Sequence, residues 1–265
     1  MPFLRGGTLS SEGILFDSTI CLGCRECEAA CSRRWRLPYD ETIAAQERLS
    51  ERKLTAVAAR GERFLRRLCM HCADPACASA CPVSALRKTS AGPVVYEERR
   101  CLGCRYCLLA CPFHVPVYEW SKPLPRVRKC DMCNDLLASG RPVACAEACP
   151  TGATVSGDRD ELVQEARRRI AGSPDQYYKH IYGLREVGGT SVLILSAEPI
   201  PDFLRVPDGA ERPLPERTAW AMEAVPVVAV GGGVLLGAIR WITERRQKVR
   251  AAEGLRSGKT EAGGE

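Results

Sequence analysis

Residues 100–112 read RCLGCRYCLLACP, with cysteines at 101, 104, 107 and 111. In a Cys-x2-Cys-x2-Cys-x3-Cys run, three thiolates wrap one cubic iron–sulfur cluster and the fourth reaches across to a second. Pro112 behind the last cysteine donates no N–H and turns the chain away. The same run starts at Cys21 and continues through Cys24, Cys27 and Cys31, with Ser32 where the proline would stand. Two variants keep four cysteines each: Cys69, Cys72, Cys77 and Cys81 widen one gap, and Cys130, Cys133, Cys145 and Cys149 open another, followed by Pro82 and Pro150. Four groups of four use all sixteen cysteines, and at four thiolates per cubane they imply four [4Fe-4S] clusters with none left over.

Two other uses of cysteine fit the spacing less well. A disulfide framework staples distant segments, whereas these thiols bunch three or four residues apart. Cys130, Cys133, Cys145 and Cys149 alone would pass for a zinc ribbon, but three cysteines within seven residues crowd too many ligands for a zinc pair. A zinc-dependent interaction protein is therefore the remote alternative. With 16 Cys against 5 Phe, 4 Trp and 4 Met, much of the interior must be filled by something other than aromatic and thioether packing. The formal charge of +6 counts every thiol as neutral; sixteen thiolates and four cluster cores bring the loaded chain to about −2, so no nucleic-acid partner is implied. No Gly-rich dinucleotide loop follows a strand and no acid–base or nucleophile constellation stands out, so the chain reads as non-catalytic.

The pattern is α+β with much loop. Ile14-Leu15-Phe16, Val94-Val95-Tyr96 and Ala153-Thr154-Val155 read as brief strands beside the cysteine groups. An insert at 32–68 carries a helix-like stretch from about Asp40, a strand at Leu54 to Val57, and many arginines expected on a solvated face. Leu162, Ala166 and Ile170 fall on one face of an expected helix over Asp160 to Ile170, and Thr190 to Ser196 reads as a strand. The expected organisation is a cluster domain at 1–170, a cysteine-free extension with a Pro-rich tether at 171–218, a transmembrane helix at 219–243 and a basic, disordered tail at 244–265. His71 reads as an ordinary loop residue, and Arg25, Arg105, Arg128 and Lys129 as charges that offset the clusters or serve solubility.

Ala224 to Ile239 are sixteen residues without a charge, bracketed by Glu223 and Arg240, with Trp220 and Trp241 placed as interfacial aromatics. Ala229, Gly233 and Gly237 form a small-residue stripe on which a membrane partner's helix could pack. Pro226 is a potential kink. Arg245, Arg246, Lys248 and Arg250 place the C-terminus on the cytoplasmic side by the positive-inside tendency, and the cluster domain outside. Met1 to Ser10 shows no export signal, so a partner subunit is expected to carry it.

The stretches CMHCADPACASACPVSAL from Cys69, RCLGCRYCLLACPFHVPVYEW from Arg100 and PRVRKCDMC from Pro125 resemble the second, third and fourth motifs of the four-cluster ferredoxin-like subunits of membrane-bound hydrogenases, formate dehydrogenases and related molybdenum enzymes. HIYGLREVGGTSVLILS from His180, with the C-terminal helix, is most similar to the hydrogenase-2 type, and the formate dehydrogenase beta subunit comes next. The resemblance implies two fused, pseudo-symmetric two-cluster ferredoxin-like units. It further implies electron relay between a large catalytic subunit and an integral membrane quinone-reactive subunit. It also implies nested ligand sets: Cys21, Cys24, Cys27 and Cys149 for cluster 1; Cys31, Cys130, Cys133 and Cys145 for cluster 2; Cys69, Cys72, Cys77 and Cys111 for cluster 3; and Cys81, Cys101, Cys104 and Cys107 for cluster 4. The chain departs from the hydrogenase-2 pattern in lacking that type's export signal.

Overall fold

The computed structural model describes residues 11–200, 206 and 211–261. In chain order the elements are β1 (Glu12–Asp17), α1 (Glu26–Trp35), β2 (Ala56–Arg60), β3 (Arg63–Arg67), α2 (Ala76–Ser79), β4 (Leu86–Lys88), β5 (Val94–Tyr96), α3 (Tyr106–Ala110), β6 (Val117–Tyr118), β7 (Val127–Arg128), α4 (Asn134–Ala138), α5 (Ala144–Glu147), β8 (Thr154–Asp158), α6 (Arg159–Gly172), β9 (Val192–Leu195) and α7 (Leu214–Glu261). They form two compact units, residues 1–215 and 216–265.

The first unit is organised by a three-stranded sheet in the order β8-β1-β9. β8 runs antiparallel to β1, with Phe16 opposite Thr154, and β9 runs parallel to it, with Ile14 opposite Val192. Side chains alternate faces along a strand. Ile14, Phe16, Val192 and Ile194 accordingly join the cysteine-containing core, while Leu15, Leu193 and Leu195 pack beneath Leu162, Val163 and Ala166 of α6. The sheet thus divides the cysteine core from a smaller apolar core roofed by α6. That helix starts where the sequence predicts, because the Asp158 carboxylate accepts the amides of Asp160 and Glu161 at 2.9 and 3.0 Å.

β9 also ties the cysteine-free segment to the second cysteine group. The amides of Ser191 and Val192 donate to the carbonyls of His71 and Met70 at 3.1 and 3.2 Å. β2–β3, β4–β5 and β6–β7 are antiparallel hairpins. The helix-like stretch from Asp40 does not become a helix. The Asp40 carboxylate folds back on the Thr42 amide and hydroxyl, and the buried Lys53 ammonium takes the Ala44 carbonyl at 2.6 Å, leaving a series of turns.

The second unit is the continuous helix α7, in which Pro226 does not break the helical assignment. It is long and apolar enough to cross a membrane by length and composition. Val227, Val228, Val230, Val234, Leu235 and Leu236 are all exposed in the chain alone, so apolar surface faces every side. The tail expected to be disordered beyond residue 243 is instead helical as far as Glu261; its first turn is held by Arg240 on Glu244 at 2.8 Å.

Candidate metal centres

Each cysteine group is a tight loop that delivers its later thiols from a short helix. In the first, Gly23 (φ 68°) and Arg25 (φ 59°) take left-handed conformations, and α1 then presents Cys27 and Cys31 one turn apart. The third repeats this with Gly103 (φ 72°) and Arg105 (φ 64°) ahead of α3. In the second and fourth groups His71 and Met132 hold the same left-handed position, and α2 and α5 carry Cys77 and Cys145. The widened gap between Cys133 and Cys145 accommodates α4. α1 packs on α5 and α2 on α3, so the first group meets the fourth and the second meets the third.

The sulfurs fall into neighbourhoods. Cys21 lies within electrostatic reach of Cys149 and Cys24, and Cys31 of Cys145 and Cys133. Cys72 is near Cys69, Cys111 and Cys77, and Cys107 near Cys101, Cys104 and Cys81. Cys69, Cys72, Cys77 and Cys111 line one internal cavity together with Met70, Val94, Phe113, Val115 and Lys129. Cys24 and Cys104 are exposed; the other fourteen cysteines are partly or fully buried, and none is in a disulfide.

Burial, reinforced by neighbouring sulfurs, pushes the thiol pKa of Cys27 and Cys107 up to about 11 and of Cys31 and Cys77 up to about 12, and raises Cys130 well above the usual thiol value. Such thiols stay protonated and unreactive until a metal displaces the proton. Cys149 goes the other way: burial raises it, but bonds from the Thr154 amide, the Thr151 hydroxyl and amide, and the Ala153 amide outweigh that and lower it. Amides also donate to the sulfurs of Cys81 (Ala85, 3.2 Å), Cys101 (Gly103, 3.4 Å) and Cys130 (Met132, 3.3 Å). Amide donors aimed at sulfur are what a cluster needs to hold its negative charge. Among the described residues, no three His, Cys, Asp or Glu side chains converge tightly enough for a single ion. Neighbouring thiols with amides aimed at their sulfurs fit a cluster.

Two sequence expectations change here. His71 is fully buried: its Nδ1 accepts the Val94 amide at 2.8 Å and its carbonyl accepts the Lys88 ammonium at 2.9 Å, so it joins the second cysteine group to β4 and β5. The arginines of the insert are not all solvated, because Arg66 is only 1% exposed and lies among Cys27, Cys130 and Cys145. Hydropathy gave no signal for either; the only clue was their closeness to Cys69. Of the charges expected to flank the clusters, Lys129 is buried, Arg105 stacks on Tyr118 and Trp120, and Arg128 pairs with Glu119 at 3.5 Å.

The fold and the sixteen grouped thiols define a multi-cluster iron–sulfur protein. Residues 61–159 match the family model of the 4Fe-4S dicluster domain. The chain is 38% identical to a protein of Nitratidesulfovibrio vulgaris, over 93% of this chain and 70% of that protein. It is 33% identical to the hydrogenase-2 operon protein HybA of Escherichia coli O157:H7, over 85% of this chain and 84% of HybA. The nitrate-inducible formate dehydrogenase iron-sulfur subunit of E. coli K12 is 35% identical over 68% of this chain and 66% of that subunit. This chain belongs to the iron–sulfur protein family that HybA represents, and it carries four [4Fe-4S] clusters.

Proposed function

We propose that this chain is the electron-relay subunit of a membrane-bound oxidoreductase, passing electrons between a hydrogenase-type catalytic subunit and a membrane quinone-reactive subunit. The bound clusters supply reversible one-electron exchange; the chain sets their order and surroundings and carries no substrate site of its own. The observation that supports this reading is the succession of cysteine neighbourhoods. Under the nested ligand sets, Cys27 faces Cys145 between clusters 1 and 2, Cys130 faces Cys69 between clusters 2 and 3, and Cys77 faces Cys107 between clusters 3 and 4. The relay then runs 1-2-3-4, and the exposed Cys24 and Cys104 mark its two ends.

The packing of α1 on α5 and α2 on α3 supports the nested sets and the fusion of two pseudo-symmetric units. In one half, β1 precedes the first group and pairs with β8, which follows the fourth; in the other, β5 precedes the third and pairs with β4, which follows the second. On this reading α7 spans the membrane and offers Ala229, Gly233 and Gly237 to the membrane partner. Its basic end lies on the cytoplasmic side and the cluster unit on the other. A formate dehydrogenase-type partner is the second reading, favoured by the formate dehydrogenase relatives.

The test is metal analysis of the complex that copurifies with this chain from native membranes in mild detergent. Nickel alongside abundant iron is expected. Molybdenum or tungsten without nickel would transfer the chain to the second reading, and neither would leave the relay without a catalytic partner.

A further inference from the structure

A buried cation is costly unless an anion faces it. Arg66, on β3, is almost fully buried, yet among the described residues the side chains that accept its hydrogen bonds include no carboxylate. Its Nε donates to the Thr55 hydroxyl at 2.9 Å and an Nη to the Thr154 hydroxyl at 3.1 Å, both neutral groups. The groups it lies closest to beyond these are sulfurs, those of Cys145, Cys27 and Cys130. Cys27 belongs to the first nested ligand set and Cys130 and Cys145 to the second, so the guanidinium occupies the junction between them. Two threonines fix a planar fork that cannot lose its proton.

The next junction has the same device. Lys129 is buried, and its ammonium donates to the Val94 carbonyl and, at 2.8 Å, to the Cys130 carbonyl. Its side chain lines the cavity enclosed by Cys69, Cys72, Cys77 and Cys111, while its backbone adjoins Cys130 of the preceding set. No equivalent buried cation stands between Cys77 and Cys107 among the described residues.

We propose that Arg66 and Lys129 are fixed counter-charges at the first and second junctions of the relay, positioning residues that raise the reduction potentials of the clusters on either side. The inference rests on the nested ligand sets proposed above. A fixed positive charge favours the more negative, reduced state of whatever lies beside it. The expected result is a potential profile in which the middle of the relay is held up relative to an uncompensated one, with cluster 2 touched by both cations.

The test uses the full-length, iron-loaded chain, with iron and labile sulfide counted first and the midpoint potentials then followed by EPR. Arg66→Met is expected to lower two of the four potentials and Lys129→Met to lower two, with one cluster common to both pairs and one moved by neither. Arg66→Lys, which keeps the charge, should leave the four potentials where they stand in the native chain. Full iron content with all four potentials unmoved in both Met variants would overturn the proposal, as would all four moving together. If Arg66→Met binds less iron, Lys129→Met decides, and unmoved potentials in that variant at full iron content overturn the proposal. Failure of the ligand sets reads differently: the two Met variants would then move two pairs that share no cluster.

Discussion

The third residue of the first Cys-x-x-Cys pair in each group is left-handed: Gly23 and Gly103 at φ 68° and 72°, His71 and Met132 at 50° and 57°. Alternating right- and left-handed residues turn successive amides into one concavity, a nest for negative charge, which is the shape a cluster requires. Glycine adopts it freely, whereas a side chain costs about 1–2 kcal/mol there. At Gly23 a Cβ would also collide with the Phe64 ring of the insert, while at Gly61, equally left-handed, it would meet open space. Gly23→Ala is therefore expected to lose about one cluster's worth of iron. Gly61→Ala should keep full iron and lose about 1 kcal/mol of stability by denaturant titration. Equal iron in the two variants would count against the nest. At this scale the cysteines were legible, because ligand spacing is local chemistry. Arg66 and His71 were not, because the burial of a polar side chain is decided by segments far away in the chain.

Short elements were legible where one local rule sufficed. The apolar triplets at 14–16 and 94–96 became strands, and the Leu162/Ala166/Ile170 spacing marked α6. Asp158→Ala should destabilise the loaded protein by about 1 kcal/mol in denaturant, since two amides lose their acceptor, and Asp158→Asn should restore most of that. A cost near zero for Asp158→Ala would mean that packing against the sheet alone holds the helix. Where side chains compete with the backbone, local rules failed: the stretch from Asp40 kept its helical pattern on paper but gave its hydrogen bonds to Asp40 and Lys53. The buried ion pair of Lys53 with Glu28 at 2.7 Å fixes that stretch against α1, beside Cys27. Neither partner is visible as special in the sequence.

For the whole first unit, the parallel pairing of β9 with β1 is the feature least accessible to sequence reading. It joins residues separated by most of the chain, through a segment without a cysteine. Its consequence is that the segment after the cysteine groups is part of the cluster core: β9 buries Val192 and Ile194 against it and anchors the loop of Cys69 and Cys72 through His71. The sheet holds the strands beside the first and fourth groups together, and β9 binds the second group to them. The cluster count is where residue, element and molecule meet, since sixteen thiols at four per cubane make four clusters. The most direct measurement is iron, acid-labile sulfide and zinc per chain on the purified, anaerobically handled protein. About sixteen iron and sixteen sulfide with negligible zinc is the predicted result. Zinc in place of iron, or iron near half that amount with half the thiols free, would contradict it.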